Sequence, residues 1–301
     1  MGSLHANLGP LPRSRVILDM DPGIDDALAL MLALRSGLEV VGVTTVAGNV
    51  EIEKTTRNAC RILKFMGRED LPVGRGLRKP LLRELKTCPE VHGRDGLGEC
   101  VLPDSPLRTG FFLDLWRGLP AGTVAVCTGP LSNVAVALLA LPVPPVERLV
   151  VMGGALGLKE WGKGNVNGAE FNFHTDPEAV SVVFQSGISI TLVPLDVTMD
   201  PSIKVDRDFL SRLHPLSREA ELAVRLLNFQ VDRLGETYLH DVVALSYLLD
   251  PSIFSTRQLP LSIDLEGGRL RIDPRGTHIE TCVGIDGARF LELFKRGLGF
   301  S

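Results

Sequence analysis

The chain has 301 residues, of which 45% are hydrophobic, and a formal net charge of −4. This composition is sufficient for a buried core, and the acidic balance argues against nucleic acid as a partner. No segment approaches the roughly 20 consecutive apolar residues of a membrane span. The five cysteines lack Cys-x-x-Cys spacing, which predicts reduced thiols in a cytoplasmic protein and no zinc site.

Residues 1–14 lack the charged region and apolar core of a secretory signal, and we expect them to form a short disordered tail. Residues 15–301 are expected to form one domain, because no Ser/Gly-rich linker divides them and no internal repeat is visible. The first part of this domain alternates apolar β-rich runs with helical patterns. The predicted strands are Val16–Asp19, Val40–Thr45, Thr123–Cys127, Arg148–Met152 and Ile190–Pro194. The predicted helices are Asp25–Ser36, Glu51–Met66, Leu107–Arg117, Leu131–Leu141 and Pro177–Gln185.

Continuous apolar runs of this kind are typical of strands buried on both faces of a parallel sheet. Repeated βαβ units predict an α/β fold with an open, doubly wound, Rossmann-like and mostly parallel sheet. After Pro201 the pattern becomes helical. The further predicted elements are helices at Asp206–Leu213, Ser217–Leu234 and Asp241–Leu249, a hairpin at Ile263–Asp273 and a closing helix at Gly287–Leu298. Two glycine-rich segments, residues 90–98 and 155–172, are expected to be irregular lids or binding loops.

Four aspartates lie within eight residues where the first strand passes through a Pro-Gly turn into the first helix: Asp19, Asp21, Asp25 and Asp26. In open α/β sheets, ligands bind at the carboxyl ends of the strands. Clustered carboxylates repel one another unless a cation lies between them, and Ca²⁺ or Mg²⁺ prefers oxygen ligands. A structural alternative explains Asp25 and Asp26 as a helix N-cap and a first-turn residue, but it leaves Asp19 and Asp21 unexplained.

Two further polar residues have both a structural and a functional interpretation. Asp241 precedes a predicted helix, so it is either an N-cap or an additional metal ligand. A calcium site needs roughly 6–8 oxygens, more than the first cluster supplies. Asn49 follows the second predicted strand and is either a turn residue or a ligand contact.

The run Asp19–Asp26, Asp-Met-Asp-Pro-Gly-Ile-Asp-Asp, resembles the amino-terminal signature of the inosine-uridine-preferring nucleoside hydrolases. The usual pattern is Asp-Thr/Cys-Asp-Pro-Gly-x-Asp-Asp, and Met20 departs from it. Further matching motifs extend to Asp241. The resemblance implies that the enzyme uses Ca²⁺ to hydrolyse the N-glycosidic bond of a small-molecule ribonucleoside, releasing ribose and a free base. It also implies a homodimer or homotetramer.

The resemblance also implies roles for individual residues. Asp21, Asp26 and Asp241 match side-chain calcium ligands, and Thr128 matches a ligand that binds through its backbone carbonyl. The implied substrate contacts are Asp25, Asn49, His92, Met152, Asn165, Glu170 and Asn172. The loop around Asn165 lacks the family's usual Pro, so Asn167 is an alternative sugar contact. Met152 is equally compatible with a core position.

We hypothesise that the bond breaks through an oxocarbenium-like transition state. Asp21 is expected to act as general base, and Asp25 to accept a hydrogen bond from the 2′-hydroxyl. The proton donor to the leaving base is expected to be His240 or Tyr238, and residues 228–240 are expected to hold the base.

Two other functions are compatible with parts of the pattern. A haloacid-dehalogenase-type phosphohydrolase would use Asp19 as nucleophile and Asp21 as acid, but it gives Asp25, Asp26 and Asp241 no role. A non-catalytic, calcium-dependent nucleoside or sugar binder would bind its ligand without releasing base.

Overall fold

The computed structural model of the protein describes residues 14–106 and 109–301. Its strands are β1 (Arg15–Met20), β2 (Glu39–Thr45), β3 (Val73–Arg75), β4 (Thr109–Phe111), β5 (Thr123–Cys127), β6 (Arg148–Met152), β7 (Ser189–Val193), β8 (Val205–Asp206), β9 (Glu236–Thr237), β10 (Phe254–Ile263), β11 (Leu270–Ile272) and β12 (Thr277–Ile285). Its helices are α1 (Ile24–Arg35), α2 (Ile52–Phe65), α3 (Pro89–His92), α4 (Phe112–Arg117), α5 (Ser132–Ala140), α6 (Phe171–Thr175), α7 (Pro177–Gln185), α8 (Leu195–Thr198), α9 (Arg207–Ser211), α10 (Arg218–Leu234), α11 (His240–Leu249) and α12 (Gly287–Leu298).

Ten strands form one sheet in the order β11-β10-β12-β7-β6-β5-β1-β2-β3-β4. The strands from β12 to β4 pair in parallel, whereas β10 is antiparallel to both β11 and β12. The chain builds outward from β1 to β4 and then returns to place β5 on the other side of β1. This confirms the doubly wound, mostly parallel sheet and places the switch in strand order beside β1, where such folds bind ligands.

The central strands are buried on both faces, as their continuous apolar runs predict. In β1, Val16 and Leu18 belong to one hydrophobic core, whereas Ile17 belongs to the other. The first core also contains apolar residues of α1 and α11, and the second contains Phe112 and Trp116. The sheet therefore holds rigidly the strand ends from which the acidic cluster extends.

Several predicted elements differ from the structure. In the predicted helix Leu107–Arg117, residues 107–108 lie outside the described residues, Thr109–Phe111 form β4, and only Phe112–Arg117 are helical. The segments predicted to be irregular contain α3, a 3₁₀ turn at Glu160–Gly162 and the beginning of α6.

The predicted hairpin exists, but β10 begins at Phe254, and β12 had not been predicted. Exposed positions interrupt the apolar pattern of both strands, which explains why the pattern did not reveal them. The predicted tail lies outside the described residues, except for Ser14. None of the described helices has the length and apolar composition needed to cross a membrane.

Candidate functional site

A cavity of about 830 Å³ opens beyond the carboxyl ends of β1, β2, β5 and β6. It brings together every predicted site residue except Asp26, which lies beneath its surface. The predicted residues that line it are Asp21, Asp25, Asn49, His92, Thr128, Met152, Asn165, Glu170, Asn172, His240 and Asp241. These residues come from at least six segments of the chain, so the tertiary fold assembles the site.

The Pro-Gly turn places the first carboxylates at the start of α1. Gly23 is the N-cap of α1, and its backbone N–H donates to Asp26 Oδ2 at 2.9 Å. Asp26 therefore provides the capping interaction, and the alternative of Asp25 as N-cap is wrong. A Cβ atom on Gly23 would lie 2.5 Å from His92 Nδ1, so this close approach requires glycine.

Asp241 joins this cluster from the first turn of α11. The N-cap of α11 is Leu239, and no side chain caps the helix, so the alternative of Asp241 as N-cap is also wrong. Carboxylate oxygens of Asp25, Asp26 and Asp241 all lie within 4.8 Å of one another. Such a spacing allows one ion to contact all three side chains.

Burial and mutual repulsion disfavour the charged forms of these groups. Burial, followed by the charges of Asp25 and Asp26, raises the pKa of Asp241 well above its ordinary value. Burial and the charge of Asp26 likewise raise the pKa of Asp21 well above its ordinary value, and that of Asp25 to about 7. The direction of these shifts follows from burial and from negative charge that the protein's own groups leave largely uncompensated.

No lysine or arginine in the described parts of the chain forms an ion pair with these aspartates. The side chain of His92 lies beside them, with its Nδ1 4.0 Å from Asp25 Oδ1. Burial lowers the pKa of His92 to about 3, so this ring is neutral and supplies no charge. A buried, all-oxygen and uncompensated donor set fits a hard divalent cation.

Asp19 does not belong to the cluster, so the expectation of four packed carboxylates from one run is wrong. It pairs with Thr44 of β2, whose hydroxyl donates to Asp19 Oδ1 at 2.6 Å, and Asn133 Nδ2 donates to the same oxygen at 2.8 Å. Burial raises the pKa of Asp19 to about 7. Asp19 is fully buried and does not line the cavity, so it cannot attack a substrate there, which argues against the phosphohydrolase alternative.

Asn49 connects the end of β2 to the aspartates. Its backbone N–H donates to Asp21 Oδ2 at 2.7 Å, and its Nδ2 donates to Asp26 Oδ2 at 3.1 Å. The preceding Gly48 is necessary because a Cβ atom there would lie 2.1 Å from Asp21 Oδ2. Asn49 therefore fixes the carboxylates, a role that a simple turn residue would not have.

Thr128 and Asn172 connect β5 to the opposite side of the cavity. The Thr128 hydroxyl donates to Asp26 Oδ1 at 2.8 Å, and its carbonyl accepts from Asn172 Nδ2 at 2.7 Å. Glu170 is the N-cap of α6 and accepts backbone N–H groups from Gly154, Asn172 and Phe173. Glu170 therefore shapes the loop in addition to lining the cavity.

The two predicted histidines are held by hydrogen bonds to Nδ1. His92 Nδ1 accepts the backbone N–H of Ile24 at 3.1 Å, which leaves the proton of the neutral ring on Nε2. His240 Nδ1 is hydrogen-bonded to Thr198 Oγ1 at 2.8 Å, and burial lowers the pKa of His240 to about 4. The Tyr238 ring centroid lies 6.2 Å from that of His240.

Sequence analysis missed several residues that line the cavity. They include Arg83, Glu84, Lys86, Thr87, Cys88, His174, Met199 and Glu266. No motif identifies these residues, because their side chains reach the cavity only through tertiary packing. By contrast, Gln230, Leu234, Glu236 and Thr237 lie within the segment 228–240 that had been expected to hold the base.

Known proteins resemble this chain in sequence and in fold. A family profile described as inosine-uridine preferring nucleoside hydrolase matches residues 16–292. The pyrimidine-specific ribonucleoside hydrolase RihA of Citrobacter koseri is 36% identical, covering 95% of this chain and 98% of the relative. The non-specific ribonucleoside hydrolase RihC of Salmonella paratyphi B is 35% identical, covering 91% and 94%. A solved structure described as the plant nucleoside hydrolase PpNRh1 has a TM-score of 0.86 and 29% identity, covering 95% of this chain and 99% of that chain.

Proposed function

The chain belongs to the inosine-uridine preferring nucleoside hydrolase family, and from this premise we propose that Ca²⁺ bound at the buried carboxylates supports its reaction. The protein is an enzyme that hydrolyses the N-glycosidic bond of ribonucleosides. One observation carries the calcium proposal: Asp25, Asp26 and Asp241 converge to within 4.8 Å in a buried site. Their charges have no lysine or arginine partner among the described residues.

The proposed ligands are Asp21, Asp26, Asp241 and the carbonyl of Thr128. Asp26 and Asp241 are also members of the converging group, in which Asp25 supplies the third carboxylate. Asp21 lines the same cavity, and its pKa responds to the charges of Asp25 and Asp26. When bound, the cation would supply positive charge that orients the sugar hydroxyls and acidifies a water molecule.

In this proposal Asp21 accepts the proton of the attacking water. One of its oxygens, Oδ2, is already fixed by the backbone N–H of Asn49. A held carboxylate at the cavity wall is suited to general-base catalysis. The developing oxocarbenium charge on the sugar is stabilised by the surrounding carboxylates, and Asp25 accepts a hydrogen bond from the 2′-hydroxyl.

His240 is proposed to act on the leaving base. Nδ1 of His240 is hydrogen-bonded to Thr198, which leaves Nε2 of the same ring available to a ligand in the cavity. A neutral imidazole with its proton on Nε2 donates a hydrogen bond to the departing base. Tyr238 lines the same wall and is the alternative donor.

Three broader properties complete the proposal. We propose that residues 15–301 act as one catalytic domain and that the enzyme assembles as a homodimer or homotetramer, as the family resemblance implies. A cytoplasmic location is supported by the five cysteines, all of which are free thiols.

A panel of ribonucleosides with detection of free ribose tests the proposal. The panel is measured with Ca²⁺, after chelation, and after chelation followed by Mg²⁺ or Ca²⁺. Ribose release that is lost on chelation and restored by Ca²⁺ supports the metal assignment, whereas unchanged release after chelation contradicts it. Nucleoside binding without ribose release would instead indicate the non-catalytic binder.

A further inference from the structure

The short helix α8 lies between the two sides of the cavity without lining it. It carries two polar side chains, Asp196 and Thr198, which are 1% and 0% exposed. Neither residue belongs to the cavity lining. Their hydrogen bonds reach different elements: Asp196 bonds the loop at residues 155–172, and Thr198 bonds α11.

The carboxylate of Asp196 organises the first half of the 155–172 loop. Its Oδ2 accepts the backbone N–H of Leu156 at 2.8 Å, and its Oδ1 accepts that of Leu158 at 2.6 Å. Its own backbone carbonyl accepts the indole N–H of Trp161 at 3.0 Å. A buried carboxylate that accepts several backbone N–H groups fixes the path of the chain, because each such bond would be costly to leave unmade.

The second half of the same loop carries Asn165 into the cavity. The first turn closes on itself, since the Gly157 N–H donates to the Gly162 carbonyl at 2.9 Å. The next turn closes through the Asn165 N–H and the Ala169 carbonyl, also at 2.9 Å. The two turns are separated by a few residues, so the location of Asn165 depends on where Asp196 holds the first turn.

Thr198 acts on the other side. Its hydroxyl is 2.8 Å from Nδ1 of His240. Thr198 is fully buried, whereas His240 is half-buried and lines the cavity. This bond selects one ring orientation and leaves Nε2 as the nitrogen available to a ligand. The backbone of α8 therefore connects the loop that carries Asn165 with His240 of α11.

We infer that α8 is a positioning element that sets the two sides of the cavity separately, with Asp196 placing the Asn165 loop and Thr198 orienting His240. Neither is a catalytic residue, because neither contacts the cavity. The inference rests on the proposed function for its kinetic readout, but the structural part can be measured without turnover.

The kinetic test uses two double-mutant cycles in which each α8 residue is the control for the other. Asp196→Asn is expected to raise KM about tenfold or more and to have little further effect when Asn165 is already Ala. Thr198→Val is expected to lower kcat about tenfold in the wild-type background and to have little further effect on kcat in a chain that already carries His240→Ala. Thr198→Ser, which keeps the hydroxyl, is expected to retain the wild-type kcat. The cross pairs should be additive, because the two sides are held independently.

Amide hydrogen exchange of the free protein provides the independent test. Asp196→Asn should speed exchange across residues 156–169 and leave α11 unchanged, whereas Thr198→Val should leave that loop unchanged. The inference would be overturned if both variants speeded amide exchange equally in residues 156–169 and in α11. It would also be overturned if the kinetic effects were additive in all four pairs, the two direct pairs and the two cross pairs. If the wild-type enzyme releases no ribose from any nucleoside, the proposed function fails, and the exchange pattern still decides whether Asp196 holds the loop.

Discussion

The floor of the cavity and the wall at residues 228–240 are built in different ways. The floor is formed by short polar side chains at strand ends and first helical turns, several of which are hydrogen-bonded to one another: Asp21, Asp25, Asp26, Asn49, Thr128 and Asp241. The carboxylate of Asp26, for example, accepts three hydrogen bonds, from Gly23, Asn49 and Thr128. Such a network leaves little freedom for any one carboxylate to move.

The wall consists of longer side chains with fewer mutual constraints. Thr237 donates to Gln230 Oε1 at 3.0 Å, while Leu234 remains 47% exposed and Tyr238 is tilted against His240. The comparison suggests a division of labour. Under the proposed function, the ribose that all ribonucleosides share would contact the constrained floor, whereas the variable base would contact the less constrained wall.

The largest expected effect tests the floor from the substrate side. 2′-Deoxyuridine should be hydrolysed with a kcat/KM about 10⁴-fold below that of uridine, because a site built to bond a hydroxyl is left unpaired by the analogue that lacks it. The comparison requires only wild-type enzyme and release of free uracil. Similar values for the two substrates would show that the floor does not recognise the 2′-hydroxyl.

The next effect concerns Asp21, the proposed general base on the floor. Asp21→Asn should lower kcat by about 10²–10⁴-fold with the fold retained, because it removes a general base without changing side-chain size. Asp19→Asn is the matched control: it alters a buried carboxylate two residues away that does not line the cavity. The control should retain kcat within about tenfold. An inactive Asp19→Asn beside an active Asp21→Asn would contradict the assignment of Asp21 as general base.

A smaller effect is expected on the wall. His240→Ala should lower kcat/KM for inosine and uridine by about 10²-fold, but it should affect p-nitrophenyl riboside little, because nitrophenolate departs without a proton. All three substrates are measured in mutant and wild type. Equal losses would assign His240 to the floor, as a residue that positions sugar or metal, and the proton donor would then be sought in Tyr238, His92 or water.

The smallest change is expected in metal affinity. Asp241→Asn should weaken Ca²⁺ binding by at least about 10–100-fold. A loss of this size is typical even when a residue that only hydrogen-bonds to a metal ligand is removed. Calorimetric titration with Ca²⁺ measures it, with the melting temperature as a check on folding. Asp241 is not the N-cap of a helix, so no loss of capping is expected. An unchanged affinity for Ca²⁺ together with a lowered melting temperature would show that Asp241 is not a calcium ligand.

The sequence predicted the floor better than the wall, for physical reasons. Local motifs identify residues at strand ends, so Asp21, Asp26 and Asn49 could be found, and the apolar run of β1 identified their strand. The position of the strand end separates Asp19 from Asp21: Asp19 lies within β1 opposite Thr44, whereas Asp21 lies beyond the end of the strand. The eight-residue motif Asp19–Asp26 does not reveal to within one residue where the strand ends.

The other residues that line the cavity depend on contacts between distant segments. Arg83 reaches the cavity while bonding Glu178, and His174 does so while its Nδ1 bonds the carbonyl of Gly267. Nothing in their local sequence distinguishes these residues from ordinary surface residues. Asp196 was missed for a related reason: its partners are backbone groups, which carry no sequence signal.

Gly23 and Gly48 set a limit on how this protein can vary. Gly23 has a backbone conformation open to any residue, yet a single added methyl group there would lie 2.5 Å from His92 and 2.6 Å from Asn49. At Gly48 the same methyl would lie 2.1 Å from an oxygen of Asp21. A Gly→Ala change is chemically conservative. At either position it would nevertheless displace the neighbouring side chains of the site, although it replaces none of them. Attempts to redesign the enzyme for new bases therefore have room on the wall and almost none at these two positions.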